Sequence, residues 1–208
     1  MCGYDAVQRL LVVHQSAPEY QSRITANHGS IRFYDRAYSK KTHYLSNTYI
    51  HHEQGKRVPI CIDGQDFPSV EHYFQYCKFV YALKDDAEPQ LVQQAKQDIL
   101  MAERGRDASV IGSPKGSHYK KLVDPNKWKK VSDCVMYRGV YEKFKQIKVL
   151  KKELLDTFPC VLIEHTPQGG DKFWGNAGDD SGLNLTGQVL GKVREQLYKE
   201  QTHHYSCV

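Results

Sequence analysis

The chain has 208 residues, 40% of them hydrophobic and 25% charged, with a formal net charge of +5. That composition is ordinary for a globular protein, and its mild basicity permits an anionic partner such as nucleic acid or a dinucleotide without demanding one. No apolar run approaches the ~20 residues of a bilayer-spanning helix. Leu10-Leu-Val-Val13 is also too short for a signal-peptide core, so the protein is expected inside the cell, in the cytoplasm or the nucleus.

Residues 1–28 mix Ser, Gln, His and Pro without a period and read as a loosely ordered extension. Ile31-Arg-Phe-Tyr34 reads as a short strand. His51-His-Glu53 invites a metal reading, but adjacent histidines diverge on a strand or a helix, and no metal site is assigned. Val58–Ile62 and Gln65–Phe67 flank Asp63-Gly64, a favoured two-residue hairpin turn. A helix follows from Ser69, a good N-cap, to about Leu83. Leu91, Ala95, Ile99 and Ala102 space a second helix over 89–103, which Gly105 is expected to stop.

Residues 105–125 then read as a long loop with Gly112, Pro114, Gly116 and Pro125. The stripe Trp128, Val131, Val135, Met136, Val140 and Phe144 predicts one helix from about Asn126 to Gln146. A fourth helix carries Leu150, Leu154 and Leu155, Val161–Ile163 is a strand candidate, and a last helix spans about 186–200 before a polar tail, 201–208. The expected fold is mainly α (α+β with a few short strands), a single compact domain over 29–200 with no linker dividing it.

Two stretches carry chemistry. In Pro68-Ser-Val-Glu71-His-Tyr-Phe-Gln75-Tyr-Cys-Lys78-Phe79, residues Glu71, Gln75 and Lys78 fall at i, i+4 and i+7. At roughly 100° per residue they share one stripe of the helix. Tyr73, Phe74, Tyr76, Cys77 and Phe79 make that helix apolar nearly all round, so the carboxylate and the amine are expected to be buried. Buried ionisable pairs mark functional sites more often than plain surface pairs do.

The second stretch is the glycine-rich segment 168–182, with Asp171 and Trp174 between its glycines. A loop tryptophan of this kind either stacks on a planar ligand or folds back to plug the loop. The segment is neither a P-loop nor a dinucleotide fingerprint, and no nucleophile elbow appears. The six cysteines form no CxxC pair, and Cys77 reads as a small buried apolar residue. Arg106, at the expected end of the second helix, is a candidate phosphate fork.

These motifs, in this order, resemble the NADAR (YbiA-like) family. The resemblance rests on the Glu71–Phe79 helix, Ser46-Asn47, Gly105-Arg106-Asp107, Trp128 with Val135-Met136, Leu162-Ile-Glu164-His165-Thr166 with Asp171, Trp174 and Gly175, and Gly182-Leu-Asn184 with Gly187. It covers about residues 31–198, with a longer linker after Asn47 and an extended 108–125 loop as departures. The resemblance implies an N-glycosidase of ribosylamines. One substrate class is ADP-ribose on the exocyclic amine of guanine, in nucleic acid or nucleotide; the other is the phosphoribosylamino intermediates of riboflavin synthesis. A binding module that recognises ADP-ribose or NAD without cutting it is the rival reading. An ADP-ribosyltransferase is the partner enzyme that the first class would imply. No cofactor is called for.

Placed on this sequence, the resemblance makes Lys78 the candidate nucleophile, Glu71 the acid/base and Asp171 a third catalytic group, on the ribose hydroxyls, with direct attack by a water that Glu71 activates as the alternative route. Trp128 and Trp174 would hold the rings and Arg106 the pyrophosphate, with Asn47, Gln75, Gly175 and Asn184 as further substrate contacts.

Overall fold

Ser69 opens the central helix as its sequence predicts: its hydroxyl accepts from the His72 backbone N–H. In this computed structural model, which describes residues 29–35, 38–113 and 118–203, that helix is α1 (Val70–Tyr81). The expected extension over 1–28 lies outside the described residues, as does the tail beyond 203. Seven α-helices and six short strands are present among the described residues, the mainly helical fold expected. They divide into two compact units. One holds the described residues up to Ser46 together with those from Phe144 onward, and the other is made of the described residues of Asn47–Lys143.

The Asn47–Lys143 unit begins with two small hairpins. β2 (His52–Glu53) pairs with β3 (Lys56–Arg57), and β4 (Ile60–Ile62) with β5 (Gln65–Phe67). In the second hairpin Asp63 and Gly64 both take positive φ, 54° and 78°, as a primed turn requires. Helix α1 leaves β5 and packs with α2 (Pro89–Met101) and α3 (Gly105–Gly112) around Phe79, Val92, Ala95, Ile99, Ala102, Ala108, Tyr119 and Leu122. Each large apolar side chain buried there contributes about 1.5–3 kcal/mol. His72, fully buried, ties the start of α1 to the end of α2, with Nε2 3.1 Å from the Ala102 carbonyl and Nδ1 2.7 Å from the Ser69 hydroxyl. Burial lowers its pKa and keeps it neutral in that role.

Two expectations fail in this unit. Gly105 does not lead into a loop; it starts helix α3. A Cβ at 105 would lie 2.6 Å from the Thr48 Cα, so this glycine serves close packing rather than termination. The single helix over 126–146 is two, α4 (Pro125–Lys129) and α5 (Ser132–Gln146). Asp124 caps α4, accepting from the Asn126 and Lys127 N–H groups, and the short helix stops where α5 begins its own course.

In the other unit, β1 (Ser30–Phe33) and β6 (Val161–Glu164) pair in parallel, Ser30 opposite Val161 and Phe33 opposite Glu164. Helices α6 (Lys148–Asp156) and α7 (Leu185–His203) bury Leu150, Leu154, Leu190, Val193 and Leu197. Arg194, 2% exposed, donates to the Thr157 hydroxyl and to the Cys160 carbonyl, joining α7 to the turn before β6. Among the described residues, no helix is long and apolar enough to cross a membrane.

Candidate active site

The α1 stripe is buried. Glu71, Gln75 and Lys78 are 9%, 5% and 8% exposed. The Gln75 amide donates to Glu71 Oε1 at 2.7 Å, holding the carboxylate in place two turns before the Lys78 amine. The Glu71 backbone N–H, one of the unpaired donors of the first turn, is taken by the Asn47 carbonyl at 2.9 Å. Asn47 itself is buried; its Nδ2 donates to Met136 Sδ at 3.2 Å, and its Oδ1 has no partner among the described residues.

Lys78 donates to the Gly112 carbonyl at 3.0 Å, at the C-terminal end of α3. Its amine also sits 5.7 Å from the ring centroids of both Phe74 and Trp128. The local sequence explains the Trp128 position. Residues 82–84 and 122–124 run side by side, with Asp124 N–H bonded to the Ala82 carbonyl and Lys84 N–H to the Leu122 carbonyl. This brings α4 onto α1, and Trp128 packs edge-on against Phe74 at 4.9 Å. Trp128 is half-buried rather than part of a core stripe, because it borders the amine on an otherwise exposed short helix.

Burial lowers the Lys78 pKa to about 8, against the opposing pull of Glu71. At pH 7 about one amine in ten is therefore neutral, far more than for an exposed lysine. A buried carboxylate and a partly neutral amine beside the Phe74 and Trp128 rings suit covalent catalysis by amine attack with proton transfer beside it.

The structure thus gathers Asn47, Glu71, Gln75, Lys78 and Trp128 in one place. Arg106 belongs to the same unit but lies exposed in the first turn of α3, not at the end of α2. Asp171, Trp174, Gly175 and Asn184 belong to the other unit, where they organise the segment between β6 and α7. Asp171 is exposed; its Oδ1 accepts from the Phe173 and Trp174 backbone N–H groups. Trp174 is half-buried and meets Phe173 edge-on at 5.1 Å.

Gly175 and Asn184, expected as substrate contacts, hold this segment to its own unit. A side chain at 175 would collide with the Thr166 methyl. The Asn184 amide spans β6, accepting from the Glu164 N–H and donating to the Leu162 carbonyl, both at 2.9 Å. Both ends of that side chain bond backbone, and Gly187 packs against the same cluster: a Cβ there would collide with the Leu162 carbonyl and lie 2.5 Å from Asn184 Nδ2.

Two residues escaped the sequence reading. Gly112 falls in the stretch that the sequence predicts as a loop, and no local pattern marks its contact with Lys78. Lys143, 1% exposed, is a second buried amine, 5.5 Å from the Tyr49 ring centroid, and burial lowers its pKa to about 7. A signal for it existed: it stands seven residues after Met136 and three after Val140, on the apolar stripe.

The chain is similar to the N-glycosidase YbiA of Escherichia coli, 34% identical over 143 residues, covering 69% of this chain and 78% of that protein. The solved structure of E. coli YbiA superposes with a TM-score of 0.63 at 28% identity, covering 86% of this chain and 94% of that one. It is also 33% identical over 131 residues to the maize chloroplastic riboflavin biosynthesis protein PYRR, of which it spans only 20%. The NADAR domain model matches residues 32–198. The chain belongs to the NADAR family.

Proposed function

We propose that the chain is an N-glycosidase that hydrolyses ribosylamines, and that its substrate is ADP-ribose joined to the exocyclic amine of guanine in nucleic acid or nucleotide. The observation that carries this reading is the buried Glu71–Gln75–Lys78 stripe, with its partly neutral amine, in a chain similar to proteins named as N-glycosidases.

The chemistry follows from the substrate. The exocyclic nitrogen lone pair opens the ribose ring, breaking the bond from the anomeric carbon to the ring oxygen, which takes a proton from Glu71. The Lys78 amine adds to the resulting C=N carbon. A proton passes to the guanine nitrogen, the C–N bond to guanine breaks, and the sugar remains as an imine on Lys78. Water, deprotonated by Glu71, adds to that carbon; Lys78 leaves, and the sugar closes. The sum is one water consumed, with guanine and ADP-ribose released. The buried Asn47 Oδ1 offers an acceptor for a substrate N–H, and the Trp128 edge a surface for the base.

A second reading, cleavage of phosphoribosylamino intermediates of riboflavin synthesis, is favoured by the likeness to the maize protein. Both substrates are ribosylamines and draw on the same two groups.

Incubation of an oligonucleotide bearing ADP-ribosylated guanine tests the proposal. Wild type should release free ADP-ribose, and Glu71→Gln should slow release by about 10²–10³-fold. Binding without release would indicate a reader instead. Release by Glu71→Gln at the wild-type rate would remove the acid/base role.

A further inference from the structure

We propose that Gly112, the last residue of α3, is a positioning residue: its carbonyl anchors the Lys78 amine, and its missing side chain lets Gln75 hold Glu71. This inference rests on the glycosidase reading of the pair.

Two contacts converge on this one residue. The Lys78 Nζ–H donates to the Gly112 oxygen at 3.0 Å. A carbonyl at a helix C-terminus has no intrahelical partner and sits at the negative end of the helix dipole, so it is a natural seat for an amine. On its other side Gly112 abuts Gln75. A Cβ at 112 would lie 2.8 Å from Gln75 Cδ and 2.9 Å from Gln75 Cβ, and would overlap Oε1 outright. That oxygen has no hydrogen-bond partner among the described residues, and it is the bare Gly112 Cα that gives it room. The other end of the same amide donates to Glu71 at 2.7 Å. Gly112 is thus one step from the carboxylate and in direct contact with the amine.

Backbone conformation does not explain the glycine. Its φ is not in the left-handed region, and an L-residue fits there without strain. Inside a helix, alanine is preferred over glycine by about 1 kcal/mol. Close approach to Gln75 is the remaining reason, and it makes a specific prediction about coupling between the two positions.

In Gly112→Ala the new methyl pushes the Gln75 amide off Glu71. kcat should fall about 10–100-fold with KM changed less than about twofold, since misplacing a reacting group by about 1 Å has that effect. Gln75→Ala should show a similar loss. The double variant Gly112→Ala/Gln75→Ala should be no slower than Gln75→Ala alone, because the methyl then has nothing to displace. Losses that multiply, or a Gly112→Ala enzyme with wild-type kcat, would overturn the proposal. Thermal melts of all three variants separate this from unfolding, since the double variant restores the space.

One readout needs no substrate. The pH midpoint for acylation of Lys78, followed by peptide mass spectrometry, should rise in Gly112→Ala and in Gln75→Ala. Glu71, released from the amide, then stabilises the ammonium more strongly. The midpoint should rise no further in the double variant. An unchanged midpoint in Gly112→Ala contradicts the positioning role even if the enzyme's substrate is something else. A shifted midpoint with no glycosidase activity in wild type would instead fault the functional reading.

Discussion

Lys78→Met should abolish turnover, by about 10³-fold or more, and at the same time raise the melting temperature. The first effect follows from the proposed covalent step: methionine offers no amine beside Phe74 and Trp128. The second follows from burial. Lys78 is 8% exposed, and burial lowers its pKa from an ordinary 10.5 to about 8. Below pH 8 the folded protein therefore holds a charged amine where it is poorly solvated, a cost of up to about 3 kcal/mol. Methionine keeps the packing against Phe74 and Trp128 but leaves the Gly112 carbonyl without its donor, a loss of about 1–2 kcal/mol. The net gain of about 1–2 kcal/mol corresponds to a rise of a few degrees, read by calorimetry at pH 7. Because the unfolded chain binds the extra proton between pH 8 and 10.5, the gain should shrink over that window. A variant that is both inactive and less stable at pH 7 would mean that the amine is a structural tie. Lys78→Arg should not restore turnover, since a guanidinium stays protonated.

Lys143→Met should produce the larger stability change, and one with a distinct pH dependence. Lys143 is 1% exposed, and burial alone accounts for the fall of its pKa from 10.5 to about 7. Between pH 7 and 10.5 the unfolded chain is protonated at this position and the folded one is not, so wild-type stability rises with pH across that interval. The wild type is weakest at and below pH 7, by at most about 5 kcal/mol relative to pH 10.5 on account of this group. Lys143→Met removes that slope. Denaturant unfolding at pH 6, 8 and 10 should show the variant's advantage over wild type falling steadily. An advantage that is flat with pH would show that Lys143 is not buried as a charge.

The parts of the fold that were legible in the sequence are those carried by local chemistry. The Ser69 cap and the Asp63-Gly64 turn need no distant partner and appear as predicted, and the apolar spacing of 89–103 forms its helix, which ends two residues early at Met101. What failed depended on tertiary approach. Gly105 looks like a helix stop in one dimension; only the Thr48 backbone pressing on it shows that it opens α3. The parallel pairing of β1 with β6 joins residues more than a hundred positions apart, and nothing in either tetrapeptide announces it. The same division runs through the site. Helical spacing alone put Glu71, Gln75 and Lys78 on one stripe, because that geometry is internal to α1. The Gly112 carbonyl comes from another helix and carries no side-chain signature. Asn184 shows what sequence position alone leaves out: its amide also ties the segment to β6, by one accepted and one donated hydrogen bond.

Trapping the covalent intermediate decides whether Lys78 is the nucleophile. ADP-ribosylated guanine is mixed with enzyme in the presence of borohydride, and the protein is digested and sequenced by mass spectrometry. A reduced ribosyl adduct should appear on Lys78 and be absent from Lys78→Met and from reactions lacking substrate. Continued turnover in borohydride with Lys78 unmodified would exclude an imine on Lys78.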